Sequence, residues 1–262
     1  MTTNTAVQTS TIHHDGVTIS MSRGGHGRPM ILCPGLNSTQ ADLHELVGLL
    51  RHDYDVVTFD LRGHGLSSAA DSYLFADFLS DLTAVTSTQQ RIQPEATPVL
   101  VGYSLGADLA VHYASEHPGS VTELLLIDGA NPVPEPFITA TDLPLFRALW
   151  EQQAEHQETL RGTPRQVLLT AQEILDLNVQ LDGIRARILD RYRTIDRPIT
   201  MIMSAAMAGD SSQGRALNQN WQAGFDRLVQ DQPQINTFRI DADHGLVLTH
   251  APQIADIIRT TG

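Results

Sequence analysis

The stretch Gly102-Tyr103-Ser104-Leu105-Gly106 constrains this chain more than any other. It follows a short apolar run, Val99-Leu100-Val101, and opens into residues 107–114, whose good helix formers carry helical apolar spacing. A strand, a sharp turn bearing a serine and then a helix form a nucleophile elbow. The turn is tight, so a Cβ at 102 or 106 would clash with the neighbouring strand or helix, and both positions are glycine. The helix behind Ser104 aims backbone N–H groups and a positive dipole end at the serine. In a chain with 19 glycines the pattern alone is a weak signal, so its surroundings must decide.

The surroundings alternate strand-like and helix-like segments. Strands are expected at residues 16–22, 29–33, 54–59, 99–101 and 124–127, most of them wholly apolar. Helices are expected at residues 41–50 and 73–90 between them. Continuous apolar strands separated by helices imply an α/β fold, a mostly parallel central sheet with helices on both faces. Residues 135–195 break the rhythm with three helical candidates, at 145–160, 164–177 and 181–193. It resumes with strands at 198–203 and 235–240 and helices at 215–229 and 252–259. A core is thus expected over 11–134 and 196–262, with a helical cap at 135–195 over the carboxyl edge of the sheet, where ligands bind in open α/β folds. The polar residues 1–10 are expected to be disordered.

The 262 residues suffice for one large core. Seventeen Lys and Arg stand against 30 Asp and Glu, a net charge of −13 that disfavours nucleic acid and anionic membranes as partners. Apolar stretches are only strand-sized, and the N-terminus lacks the apolar core of a signal peptide, so no membrane insertion and a cytoplasmic location are expected. Cys33 is the only cysteine, which excludes an intramolecular disulfide and a thiolate cluster. No metal or organic cofactor is expected, and the chain is read as a monomer or homodimer.

Three further motifs give the chain a resemblance to the α/β-hydrolase superfamily over nearly its whole length. Residues 60–67, Asp-Leu-Arg-Gly-His-Gly-Leu-Ser, resemble the family's turn after an early strand and are expected to be structural. Pro34-Gly35-Leu36 stands where many relatives have His-Gly-x, and Asp243-His244-Gly245 stands where the family places its catalytic histidine.

A serine hydroxyl needs a base to become a nucleophile near neutral pH, and a neutral histidine can take the proton and return it. Among 11 histidines, His244 is singled out because it lies in a loop past the last expected strand. His250 reads as a helix-start residue and His64 as part of the structural turn. The acid that orients the imidazole has two candidates. Asp128 ends the strand at 124–127 and is favoured; Asp210, past the strand at 198–203, is the alternative, arriving some residues late for the usual turn. The resemblance permits either place. It also implies an oxyanion hole made by the backbone N–H groups of Leu36 and Leu105.

The resulting expectation is a serine hydrolase that cleaves a carboxylic ester or related acyl bond of a small-molecule substrate through an acyl-enzyme. A thioesterase or lactonase, a C–C bond hydrolase and a hydrolase-derived binding protein with little turnover stay open. Phe137, Leu143, Leu145, Phe146, Leu149 and Trp150 are the apolar cap residues expected to face the site.

Overall fold

A computed structural model describes residues 6–209 and 211–261. One sheet of eight strands organises them: β1 (Gln8–His14), β2 (Val17–Gly25), β3 (Arg28–Cys33), β4 (Tyr54–Phe59), β5 (Val99–Tyr103), β6 (Leu124–Ile127), β7 (Ile199–Ser204) and β8 (Asn236–Ile240). The order is β1-β2-β4-β3-β5-β6-β7-β8. β1 and β2 pair antiparallel, β2 joins β4 antiparallel, and every other pairing is parallel. Burial explains the sequence pattern: β4, β5, β6 and β7 are buried at every residue, so nothing polar is needed on alternate positions.

Helices cover both faces. α1 (His44–Leu50), α8 (Leu246–Thr249) and α9 (Ala251–Thr261) pack on one side with Met30, Val56, Val101 and Ile202. α2 (Phe75–Ile92), α3 (Leu105–Glu116), α5 (Ala171–Arg185), α6 (Ile188–Tyr192) and α7 (Ser212–Asp231) close the other, with Phe59, Leu100 and Met201. α4 (Leu143–Glu158) differs from them in having no buried residue.

Three expectations need correction. Gln8 to Ser10, expected outside the fold, begin β1 and pair with Arg23, Ser22 and Met21. The two helices expected at 164–177 and 181–193 are instead α5 and the short α6. A capping box sets the start of α5: the Thr170 side chain accepts from the Glu173 N–H, and Glu173 accepts from the Thr170 N–H. Upstream, Val167 bridges to His64 in extended backbone. The helix expected from residue 41 starts only at His44, because Asp42 turns the chain by accepting from the Thr39 N–H and hydroxyl.

Among the described residues, no helix is long and apolar enough to cross a membrane.

Candidate active site

Ser104 sits between β5 and α3 with φ 52° and ψ −119°, a conformation that costs a non-glycine residue on the order of 1–3 kcal/mol and persists only where the surroundings enforce it. Two glycines do so. A Cβ on Gly102 would meet the Gly106 carbonyl oxygen at 2.3 Å, and one on Gly106 would meet that of Cys33 at 2.2 Å. The elbow therefore closes only with glycine at both positions. The Ser104 N–H donates to the Ile127 carbonyl at 2.9 Å, which ties the turn to the end of β6.

His244 follows β8 and precedes α8, and it reaches back across the sheet edge. Its Nε2 lies 3.0 Å from Ser104 Oγ, and its Nδ1 lies 2.7 Å from Asp128 Oδ2. The Tyr103 hydroxyl donates to the His244 carbonyl at 2.8 Å, and the two rings lie 5.5 Å apart. Burial pushes the Tyr103 phenol well above its usual value, so it acts as a neutral donor.

Asp128 stands one residue past β6, fully buried, with φ 46°. Its Oδ1 accepts from the Ser204 N–H at 2.8 Å and from Trp221 Nε1 at 3.2 Å. Its Oδ2 accepts from the Ser204 hydroxyl at 2.7 Å as well as facing His244. A carboxylate offers about four acceptor positions, and all are occupied here. Ser204, the last residue of β7, and Trp221 on α7 were not legible as site residues. Neither lies in a motif, and only the sheet order and the packing of α7 bring them to Asp128. Asp210, the alternative acid, lies outside the described residues.

Ser204→Ala keeps the backbone donor to Asp128 but removes the hydroxyl. Where Asp128 orients His244 for a reaction at Ser104, the expected loss of about 1–1.5 kcal/mol lowers kcat roughly tenfold. Steady-state kinetics beside a melting curve checks this, and an unchanged kcat would contradict it.

The loop after β3 closes the other side of Ser104. A Cβ on Gly35 would lie 2.9 Å from Ser104 Cβ, so the loop carrying Leu36 runs against the serine. His64 fixes that loop: its Nδ1–H donates to the Arg62 carbonyl at 2.8 Å, which leaves Nε2 to accept the Asn37 N–H at 3.3 Å. Asn37, at φ 64°, has its own N–H committed. Leu105, the first residue of α3, stands where a helix N–H has no intrahelical acceptor.

The motif at 60–67 is structural. Asp60 accepts from the Gln40 and Leu66 N–H groups, and Arg62 forks onto Asp81 with two bonds of 2.7 Å. His250 caps the junction of α8 and α9, accepting or donating at Thr249 Oγ1, 2.9 Å away.

Burial holds the His64 imidazole down to about 4, against the raising effect of its bond to the Arg62 carbonyl. The unfolded chain takes up this proton near the usual value of about 6.5, so stability is complete above about 6.5 and is lost as the pH falls toward 4. At pH 5 the expected loss from this residue is about 2 kcal/mol. Urea unfolding at about pH 7.5 and about pH 5 checks it: wild type should lose about 2 kcal/mol more than His64→Gln, and equal losses would contradict it.

Above Ser104 lies a pocket of about 280 Å³. Leu36, Leu105, Met207 and Leu217 line it, together with Phe137, Phe146, Leu149 and Trp150 from the segment between β6 and β7. Leu143 and Leu145, expected to face the site, do not line this pocket; Leu145 is half exposed. Among the described residues, no group of three or more His, Cys, Asp and Glu side chains is placed to hold a metal ion.

Residues 28–216 match the family defined by the alpha/beta hydrolase fold. The chain belongs to the alpha/beta hydrolase family. Within this family it is similar to the 2-(acetamidomethylene)succinate hydrolase of Mesorhizobium japonicum, at 25% identity over 199 residues. That match spans 76% of this chain and 66% of the relative, just under two thirds. It is also similar to the AB hydrolase superfamily protein YisY of Bacillus subtilis, at 31% identity over 44% of this chain and 43% of YisY. Among solved structures, an E-2-(acetamidomethylene)succinate hydrolase superposes with a TM-score of 0.70 at 19% identity, covering 98% of this chain and 99% of that one. A thioesterase domain from the curacin biosynthetic pathway superposes with a TM-score of 0.67 at 19% identity, covering 97% and 99%. These superpositions speak to the fold that the family shares.

Proposed function

We propose that this alpha/beta hydrolase family member is a serine hydrolase that transfers an acyl group from a small-molecule ester to water. The observation that carries the proposal is the unbroken line from Ser104 Oγ to His244 Nε2 at 3.0 Å and from His244 Nδ1 to Asp128 Oδ2 at 2.7 Å.

His244 takes the Ser104 proton as Oγ bonds to the substrate carbonyl carbon. The carbonyl oxygen gains negative charge and receives the N–H groups of Leu36 and Leu105. The tetrahedral species collapses, its bond to the leaving oxygen breaks, and His244 gives that oxygen the proton. Water then attacks the acyl-serine with His244 again as base, which releases the acid and restores Ser104. Asp128 keeps Nδ1 protonated throughout and faces the positive charge that develops on the ring. Residues 135–195 serve as the cap that excludes water during these steps.

One second reading has an observation behind it. The acid candidate follows β6 rather than β7, a placement also used by some thioesterases, so thioesters belong in the test. The experiment is a panel of p-nitrophenyl esters, acyl thioesters and lactones offered to the folded protein. Highest kcat/KM on the esters supports the proposal, and no hydrolysis of any member overturns it.

A further inference from the structure

Besides Ser104, His244 and Asn37, the polar side chains that line the pocket lie along one helix. Asn178, Asp182 and Arg185 occur at intervals of four and three on α5, so they share a face, and all three line the pocket that holds Ser104 and His244. Each has part of its hydrogen-bonding capacity committed elsewhere. Arg185 spends Nε and Nη2 on Asp108, with Nη2 to Oδ2 at 2.7 Å. Among the described residues, nothing hydrogen-bonds its Nη1. Asp182 Oδ2 accepts the Ile138 N–H at 2.9 Å and the Phe137 N–H also faces the carboxyl, which leaves part of its roughly four acceptor positions. Asn178 donates Nδ2 to the Ile174 carbonyl at 2.8 Å, which leaves its Oδ1.

The face thus presents a donor at Arg185 beside acceptors at Asp182 and Asn178. Its charge is not that of an anion site. The Asp108 carboxylate, fully buried, already offsets the Arg185 guanidinium, and Asp182 adds a second carboxyl. Burial raises the Asp182 carboxyl above its usual value. A ligand group suited to this face carries an acceptor and an N–H donor side by side and no negative charge. Asp108 also fixes the distance, since its N–H bonds to the Ser104 carbonyl at 3.4 Å. It lies one turn, about 6 Å, along α3 from the serine, so the group must stand a few bonds from the scissile carbonyl.

We propose that the α5 face is a specificity subsite for a carboxamide-type group close to the reacting carbonyl, and that the substrate is a short acyl compound bearing such a group. The inference rests on the reading of Ser104 as nucleophile for its place in the reaction, and its test is independent of turnover. Three ligands of nearly equal shape serve as probes: methyl succinamate, methyl 4-oxopentanoate and monomethyl succinate at neutral pH. They present a donor and an acceptor, an acceptor alone, and a charged acceptor alone.

Binding to Ser104→Ala protein is followed by tryptophan fluorescence, to which Trp150 in the same pocket and Trp221 beside His244 contribute. Methyl succinamate should bind about tenfold tighter than the ketone, and the carboxylate should bind weakest. Asp182→Asn should abolish the disadvantage of the carboxylate relative to the ketone. Asn178→Leu, which gives up only a bond within its own helix, should narrow the carboxamide preference. Equal affinity for amide and ketone overturns the inference, and tightest binding of the carboxylate overturns it in favour of an anion site. Wild-type hydrolysis of the same methyl esters is measured separately. Hydrolysis of the panel esters with no discrimination in binding would sink the subsite alone, whereas discrimination in binding with no hydrolysis of any panel member would sink the proposed function alone.

Discussion

Ser104→Ala is expected to lower kcat on a p-nitrophenyl ester by about 10⁶, leaving only the roughly 10³–10⁴-fold acceleration over water that binding and oxyanion donors supply. Alanine keeps the backbone of the elbow and the packing against Gly35, and removes only the Oγ that lies 3.0 Å from His244. The loss should therefore be confined to kcat, with little change in melting temperature, because alanine keeps the Cβ and the φ 52° backbone and gives up only a partly exposed hydroxyl. A variant that keeps more than about one hundredth of wild-type turnover would contradict the assignment of Ser104 as nucleophile.

Asp128→Asn is expected to cost about 10⁴ in kcat with little change in volume or shape. The physical reason lies in the donors that surround the carboxylate. Ser204 N–H, Ser204 Oγ, Trp221 Nε1 and His244 Nδ1 all converge on its two oxygens. An asparagine offers one oxygen and one NH₂ group, so the NH₂ must face a group that was donating. The backbone N–H of Ser204 cannot reverse, but His244 can. Its ring then carries the proton on Nε2, pointing at Ser104 and unable to accept the serine proton. Stopped assays with enough enzyme to see a 10⁴-fold loss check the prediction, with Asp210→Asn as the comparison. A large loss confined to Asp210→Asn would contradict it and move the acid past β7.

The parts of the molecule legible in the sequence are those where a local pattern has one physical explanation. β3 to β7 are runs of apolar residues because both faces of the sheet are covered, and such runs can be read directly. The elbow is legible because a Cβ at 102 or 106 has nowhere to go, whatever the rest of the chain does. β1 was not legible: six of its seven residues are polar, and backbone pairing with β2 at the edge of the sheet makes it a strand. The expected break falls at residues 178–180, whereas Leu177 and Leu181 lie on one continuous buried face and the helix runs through it. Asn178 turns out to face the pocket.

The candidate site divides in the same way. Ser104, Asp128 and His244 stand in motifs or at strand ends, and the fold brings them within hydrogen-bonding distance of one another. Ser204 and Trp221 are read only from contacts between β6, β7 and α7, which no spacing in the chain encodes. The Arg185–Asp108 pair belongs to the same class. It joins α5 to the first turns of α3 across 77 residues of sequence, and it buries both charges beside the pocket.

The most direct test of the account is covalent labelling with a fluorophosphonate, followed by mass spectrometry of the digested protein. One adduct is expected, on the peptide containing Ser104, absent in Ser104→Ala and much slower to form in His244→Ala. Folded protein that takes up no label, or labels equally when Ser104 is replaced, would contradict the claim that Ser104 is an activated nucleophile.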